Sequence, residues 1–98
     1  MKLVRDKIPQ IIIDNNKIPI SHIAQEKEYW TELKKKLQEE VDEFLEDDNE
    51  EELADILEVL YAIFDFKGFS KEKIEEIREN KANKRGKFKK RIILDGIE

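Results

Sequence analysis

Apolar residues recur at spacings of three and four over two long stretches of this chain, which predicts two amphipathic helices. The first runs from about residue 25 to residue 45, with Trp30, Leu33, Leu37, Val41 and Phe44 as its stripe. The second runs from about 50 to 66 and carries two adjacent rows. Leu53, Leu57, Leu60 and Phe64 form one; Ile56, Val59, Ile63 and Phe66 form the other. So wide an apolar surface exceeds what one neighbouring helix covers, which predicts a central position in a bundle and a second copy of the chain as cover.

Local signals set the ends. The run "EDDNEE" breaks the first helix, and Asn49 with Glu52 three residues on has the spacing of a capping box. Gly68 is a C-terminal stop, and Ser70 caps a further helix, "SKEKIEEIRENKANKR". A short helix is expected from near Pro9 to Asn15-Asn16. "KIPISHIA" and the end of the tail "GKFKKRIILDG" read as short extended segments. The expected fold is an all-α small helical bundle in one domain, residues 1–98, with extended pieces near both termini.

Composition narrows the class. Three glycines and two prolines among 98 residues favour helix over a β-sandwich. The absence of cysteine excludes disulfides and thiolate chemistry. No apolar run is long enough to span a bilayer, and charge appears too early for a signal peptide, so a cytoplasmic protein without a membrane partner is expected. A net charge of −5 argues against general nucleic-acid binding.

The charge is segregated. Residues 37–57, "LQEEVDEFLEDDNEEELADIL", crowd carboxylates against the apolar stripe. At about 100° per residue, Glu40 lies roughly 60° from the stripe and Glu43 roughly 60° further on the same side, whereas Glu39 and Asp42 point more outward. Glu52 and Asp55 share the direction of Val59 and Phe66. If the two helices pack antiparallel, Glu40, Glu43, Glu52 and Asp55 converge near the turn and need a compensating charge, for which a hard divalent cation is suited. Acidic flanks beside a helical stripe also arise as plain solvated surface, and spacing alone does not separate the two.

Lys81, Lys84, Arg85, Lys87, Lys89, Lys90 and Arg91 form an acid-free basic stretch, with Lys81 and Arg85 on one helical face. Such a group suits phosphate oxygens beside a metal cluster, or simply balances the acidic helices. Gly86 would allow close approach to a ligand. His22, the only histidine, reads as a packing or hydrogen-bonding residue in an extended segment; Tyr29 and Trp30 read as core or interface. Arg5, Asp6 and Lys7 read as exposed surface.

"KLVRDKIPQII", "KLQEEVDEF" followed by "EELADILEVLYAI", and "KANKRGKFKKRIIL", in this order, resemble the MazG-like all-α nucleoside triphosphate pyrophosphohydrolases. More closely, these stretches look like the small stand-alone proteins of the phosphoribosyl-ATP pyrophosphohydrolase-like group. The resemblance covers nearly the whole chain. It implies that Glu40, Glu43, Glu52 and Asp55 hold Mg²⁺ (or Mn²⁺), and that Glu39 binds a further metal or orients water. It also implies that Lys81, Arg85 and Arg91 contact phosphate. Relatives often have a second glycine where Lys87 stands in "RGKF", and the loop between the acidic motifs is shorter than in many MazG proteins. The implied activity is Mg²⁺-dependent cleavage of a nucleotide's α–β phosphoanhydride, and the wide apolar surface leads us to expect a homodimer or higher homo-oligomer. The competing reading is a non-catalytic helical dimer serving as an interaction module, and a third is an RNA-binding tail on such a dimer.

Overall fold

A computed structural model describes all 98 residues as four helices with no strand. They are α1 (Ile8–Asp14), α2 (Glu26–Glu46), α3 (Glu50–Lys67) and α4 (Lys71–Arg85). The segments expected to be extended, near both ends, carry no helix and pair into no sheet. No helix is long and apolar enough to cross a membrane.

The caps explain the boundaries. Pro9 stands in the first turn of α1, where its missing N–H leaves no helical bond unmade. Glu26 and Glu28 meet the positive N-terminal end of α2. The Asn49 side chain accepts a hydrogen bond from the Glu52 N–H, and three glutamates follow in the first turn of α3. Gly68 ends α3 at φ 72°, a left-handed conformation that glycine adopts without a Cβ penalty, and the Phe69 N–H returns to the Phe64 carbonyl. Ser70 Oγ accepts from the Lys73 N–H to open α4.

The packing is a two-helix hairpin. α2 and α3 lie antiparallel across the turn at residues 47–49 and make the only extensive helix–helix contact. At the end remote from the turn, Trp30 stacks on Phe66 with ring centroids 5.7 Å apart, while Tyr29 meets the same ring edge-on at 5.4 Å. Leu33 and Val59 are the buried apolar residues between the helices. Of the two rows on α3, the one through Ile56, Val59, Ile63 and Phe66 turns inward. Leu53 and Leu57 of the other row remain about half exposed, at 50% and 47%.

One chain therefore leaves its core unfinished. Only three of 98 residues are buried. The radius of gyration is 18.1 Å, against about 13 Å for a compact chain of this length. The central position expected for α3 is not realised within a single chain, because α4 extends the molecule instead of covering the Leu53–Leu57 row.

Candidate metal centre

The hairpin brings together the four carboxylates that helical geometry places on facing sides. Glu40 and Glu43 from α2 and Glu52 and Asp55 from α3 each offer one oxygen, and these four oxygens lie within 4.8 Å of one another. Position along the helices explains this. Glu43 is three residues before the end of α2 and Glu52 is the third residue of α3, so the short turn sets them opposite each other. Glu40 and Asp55 follow one turn further in.

Burial is graded across the cluster. Glu40 is only 6% exposed; Asp55 and Glu52 are half-buried, and Glu43 faces solvent. One Glu40 oxygen, Oε1, pairs with Lys36 at 3.2 Å, while Oε2 is buried without a hydrogen-bond partner. Glu52 Oε2 is likewise buried and unpartnered. A capping box would have used the Glu52 carboxylate on the Asn49 N–H, but that N–H bonds to the Asp47 carbonyl at 2.6 Å instead. Asn49 thus caps the helix while the Glu52 side chain stays free for the cluster.

The electrostatics favour a cation. Two unit charges at this separation repel by about 3 kcal/mol at the intermediate dielectric of a half-buried site. The charge of Glu40, then loss of hydration, push the Glu43 carboxyl above its ordinary range, with Glu52 and Glu39 adding to the effect. Burial presses the Lys36 ammonium down, but its hydrogen bond to Glu40 and the charges of Glu39 and Glu40 outweigh that and hold its pKa raised. Lys36 and Arg5, which lies 2.7 Å from Asp55, are the cations paired within the cluster. Four carboxylates against these two cations leave two negative charges, the charge one divalent ion neutralises. The donors are hard oxygens, half-buried and partly unpartnered, and they fit Mg²⁺ or Mn²⁺.

Other candidates fall elsewhere. Glu39 stands outside the four-oxygen cluster and is held by Lys2 at 3.7 Å and Lys36 at 3.4 Å. Lys81, Arg85 and Arg91 are exposed, and none forms an ion pair or lines the cavities that Glu40, Glu43, Glu52 and Asp55 border. A single chain therefore does not unite its basic stretch with its acidic cluster. A Cβ at Gly86 would meet nothing within 4 Å of the chain itself, and the glycine adopts φ +86°, a conformation that favours glycine. His22 lies in irregular backbone and pairs with Glu28 at 2.9 Å.

Two participants went unread in the sequence. Lys36 stands three and four residues before Glu39 and Glu40, a helical spacing that could have revealed it. Arg5, read as mere surface, reaches Asp55 across fifty positions, and no local pattern announces that pairing. The chain matches no protein-family model, no curated protein and no solved structure.

Proposed function

We propose that this protein is a divalent-metal-dependent nucleotide pyrophosphohydrolase of MazG-like type, cleaving the α–β phosphoanhydride of a nucleoside triphosphate to a monophosphate and pyrophosphate. One observation carries the reading. Glu40, Glu43, Glu52 and Asp55 converge from two helices within 4.8 Å, with Glu40 and Glu52 each holding a buried oxygen that has no partner. An acidic rim that met only solvent would leave its carboxylates hydrated, because a buried unpaired carboxylate oxygen is costly.

Glu40, Glu43, Glu52 and Asp55 would hold Mg²⁺ or Mn²⁺. When bound, the metal supplies Lewis-acid charge for the phosphate oxygens and lowers the pKa of a coordinated water. The chain's own residues do the rest. Lys36 keeps Glu39 and Glu40 in fixed orientation. Glu39, on the α2 surface beside the cluster, is the acceptor for the proton of the attacking water. Water attacks the α-phosphorus, the bond to the bridging oxygen breaks, and pyrophosphate departs against Lys81, Arg85 and Arg91. Positioning and charge suffice for such chemistry, and no protein nucleophile is needed.

Homodimerisation belongs to the reading, with the basic stretch of one copy serving the acidic cluster of the other. The half-exposed Leu53 and Leu57 and the unfinished core support it, as does the absence of ion pairs between the two charged groups within one chain. The cytoplasmic nucleotide pool is the matching setting.

The test is a panel of nucleotides with Mg²⁺ and detection of pyrophosphate. Wild-type protein should release pyrophosphate from at least one, and the double variant Glu52→Gln, Asp55→Asn should not, while its helical circular dichroism persists. Unchanged turnover in that variant excludes the site. A non-catalytic dimer would give no turnover with either protein.

A further inference from the structure

The N-terminal segment does more than cover surface. Residues 3–8 and Ile11 of α1 line, together with the α2–α3 hairpin, an open cavity of about 780 Å³. Its walls carry the aromatic rings of Tyr29, Tyr61 and Phe66 together with Leu33 and Val59. Pockets for small organic ligands run from about 300 to 1,000 Å³ and pair an apolar wall with a few convergent polar groups. Here the polar lining includes Arg5, Lys36, Glu40 and Asp55, with Asp6, Lys7, Glu58 and Asp65 also on the wall.

Two of them belong to the metal cluster as well. Glu40 and Asp55 stand on the cavity wall and also among the four converging oxygens, so the cavity borders the proposed metal centre, whose Glu43 and Glu52 line a separate hollow. A nucleotide whose phosphates meet that centre has this space for its nucleoside. Tyr29 and Tyr61 offer aromatic surface to a base of any identity, whereas Phe66 is already stacked on Trp30.

Arg5 stands where the two regions join. Its Nη2 donates to Asp55 Oδ1 at 2.7 Å, the other guanidinium N–H groups carry no protein partner, and the side chain is 58% exposed. Asp55 cannot give its full charge both to a divalent ion and to Arg5. A guanidinium displaced from a carboxylate at the edge of a nucleotide pocket has phosphate as its natural new acceptor.

We propose that this cavity binds the nucleoside end of the nucleotide, and that Arg5 is the counter-ion of Asp55 in the metal-free protein and a contact of the α-phosphate in the loaded one. The assignment rests on the function proposed above. It gives the Arg5-Asp6-Lys7 stretch a role in substrate recognition, with Arg5 as a binding residue and not a surface charge.

Two titrations test it on the full chain. Mn²⁺ binding is followed by loss of the free-ion electron paramagnetic resonance signal. Binding of the α,β-methylene analogues of ATP, GTP, CTP and UTP in saturating Mn²⁺ is followed by calorimetry. Arg5→Gln should weaken the best-bound analogue by about tenfold or more, in line with one lost charge-assisted contact, and raise KM similarly. It should leave Mn²⁺ affinity unchanged or tighter, because a competing cation is gone. Arg5→Lys should recover part of the loss. Ala62→Trp, which fills the cavity from α3, should abolish analogue binding and leave Mn²⁺ binding intact. Wild-type affinity for the analogue in either Arg5→Gln or Ala62→Trp overturns the assignment, as does wild-type protein that binds no analogue. Loss of Mn²⁺ affinity in Arg5→Gln also overturns it, since Arg5 would then be supporting the cation site. Wild-type protein that binds analogues but releases no pyrophosphate sinks the hydrolase reading and leaves the cavity assignment standing.

Discussion

Asn49 Oδ1 accepts a hydrogen bond from the Glu52 N–H at 3.1 Å, and the Glu52 carboxylate does not return it. The cap therefore fixes where Glu52 starts on α3 without using its side chain. Asn49→Ala should cost about 1 kcal/mol, seen as a drop of about 4–8 °C in the melting temperature. Divalent-ion affinity should fall with it, because Glu52 lies in the turn that frays. Asn49→Asp, which keeps an acceptor, should restore the melting temperature. An unchanged melting temperature in Asn49→Ala would show that the cap carries no weight.

Divalent ions should stabilise the fold. Binding to the native state alone adds about 2.7 kcal/mol at one hundred times the dissociation constant. Mg²⁺ or Mn²⁺ should raise the thermal midpoint of the wild-type protein, with chelator reversing the rise. Glu52→Gln, Asp55→Asn should show neither effect. A midpoint indifferent to both ions would remove the metal centre.

The metal-free protein should be pH-sensitive through Glu43. Its carboxyl is held above the ordinary value of 4.5, foremost by the charge of Glu40. A raised carboxyl favours the protonated folded state, so this stabilisation is complete below that ordinary value and is lost as pH rises through the raised one. The melting temperature in chelator should fall as pH rises from the ordinary carboxylate range through the raised value. Glu43→Gln should flatten that slope, and Mg²⁺ should reverse it by making the ionised form the favoured one. A wild-type slope identical to that of Glu43→Gln would contradict the repulsion.

If the basic stretch acts across a dimer, two dead proteins should make a partly live one. Glu52→Gln, Asp55→Asn and Arg85→Ala, Arg91→Ala should each be inactive alone. Mixed in equal amounts with free subunit exchange, they should recover about one quarter of wild-type turnover, since half the dimers are mixed and each of these holds one intact site. No recovery despite demonstrated exchange would place both groups in the same chain.

The exposed apolar row should hold the dimer. Leu53→Lys with Leu57→Lys places charge on residues that are half exposed in one chain. Sedimentation should show a shift from dimer to monomer at micromolar concentration, with helical circular dichroism largely kept. A variant that stays dimeric would move the interface to another face.

Helical periodicity made much of this protein legible from its residues. The stripe through Leu33, the caps at Asn49 and Ser70 and the stop at Gly68 are local, so neighbours in the chain determine them. The convergence of Glu40, Glu43, Glu52 and Asp55 was legible for the same reason: a fixed angle per residue and a short turn leave two facing helices little freedom. Arg5 at Asp55, the cavity beside residues 3–8 and the lack of pairing between the acidic cluster and the basic stretch were decided only in three dimensions. Each depends on how irregular segments route the chain over or away from the hairpin, and irregular backbone has no period from which that route can be read.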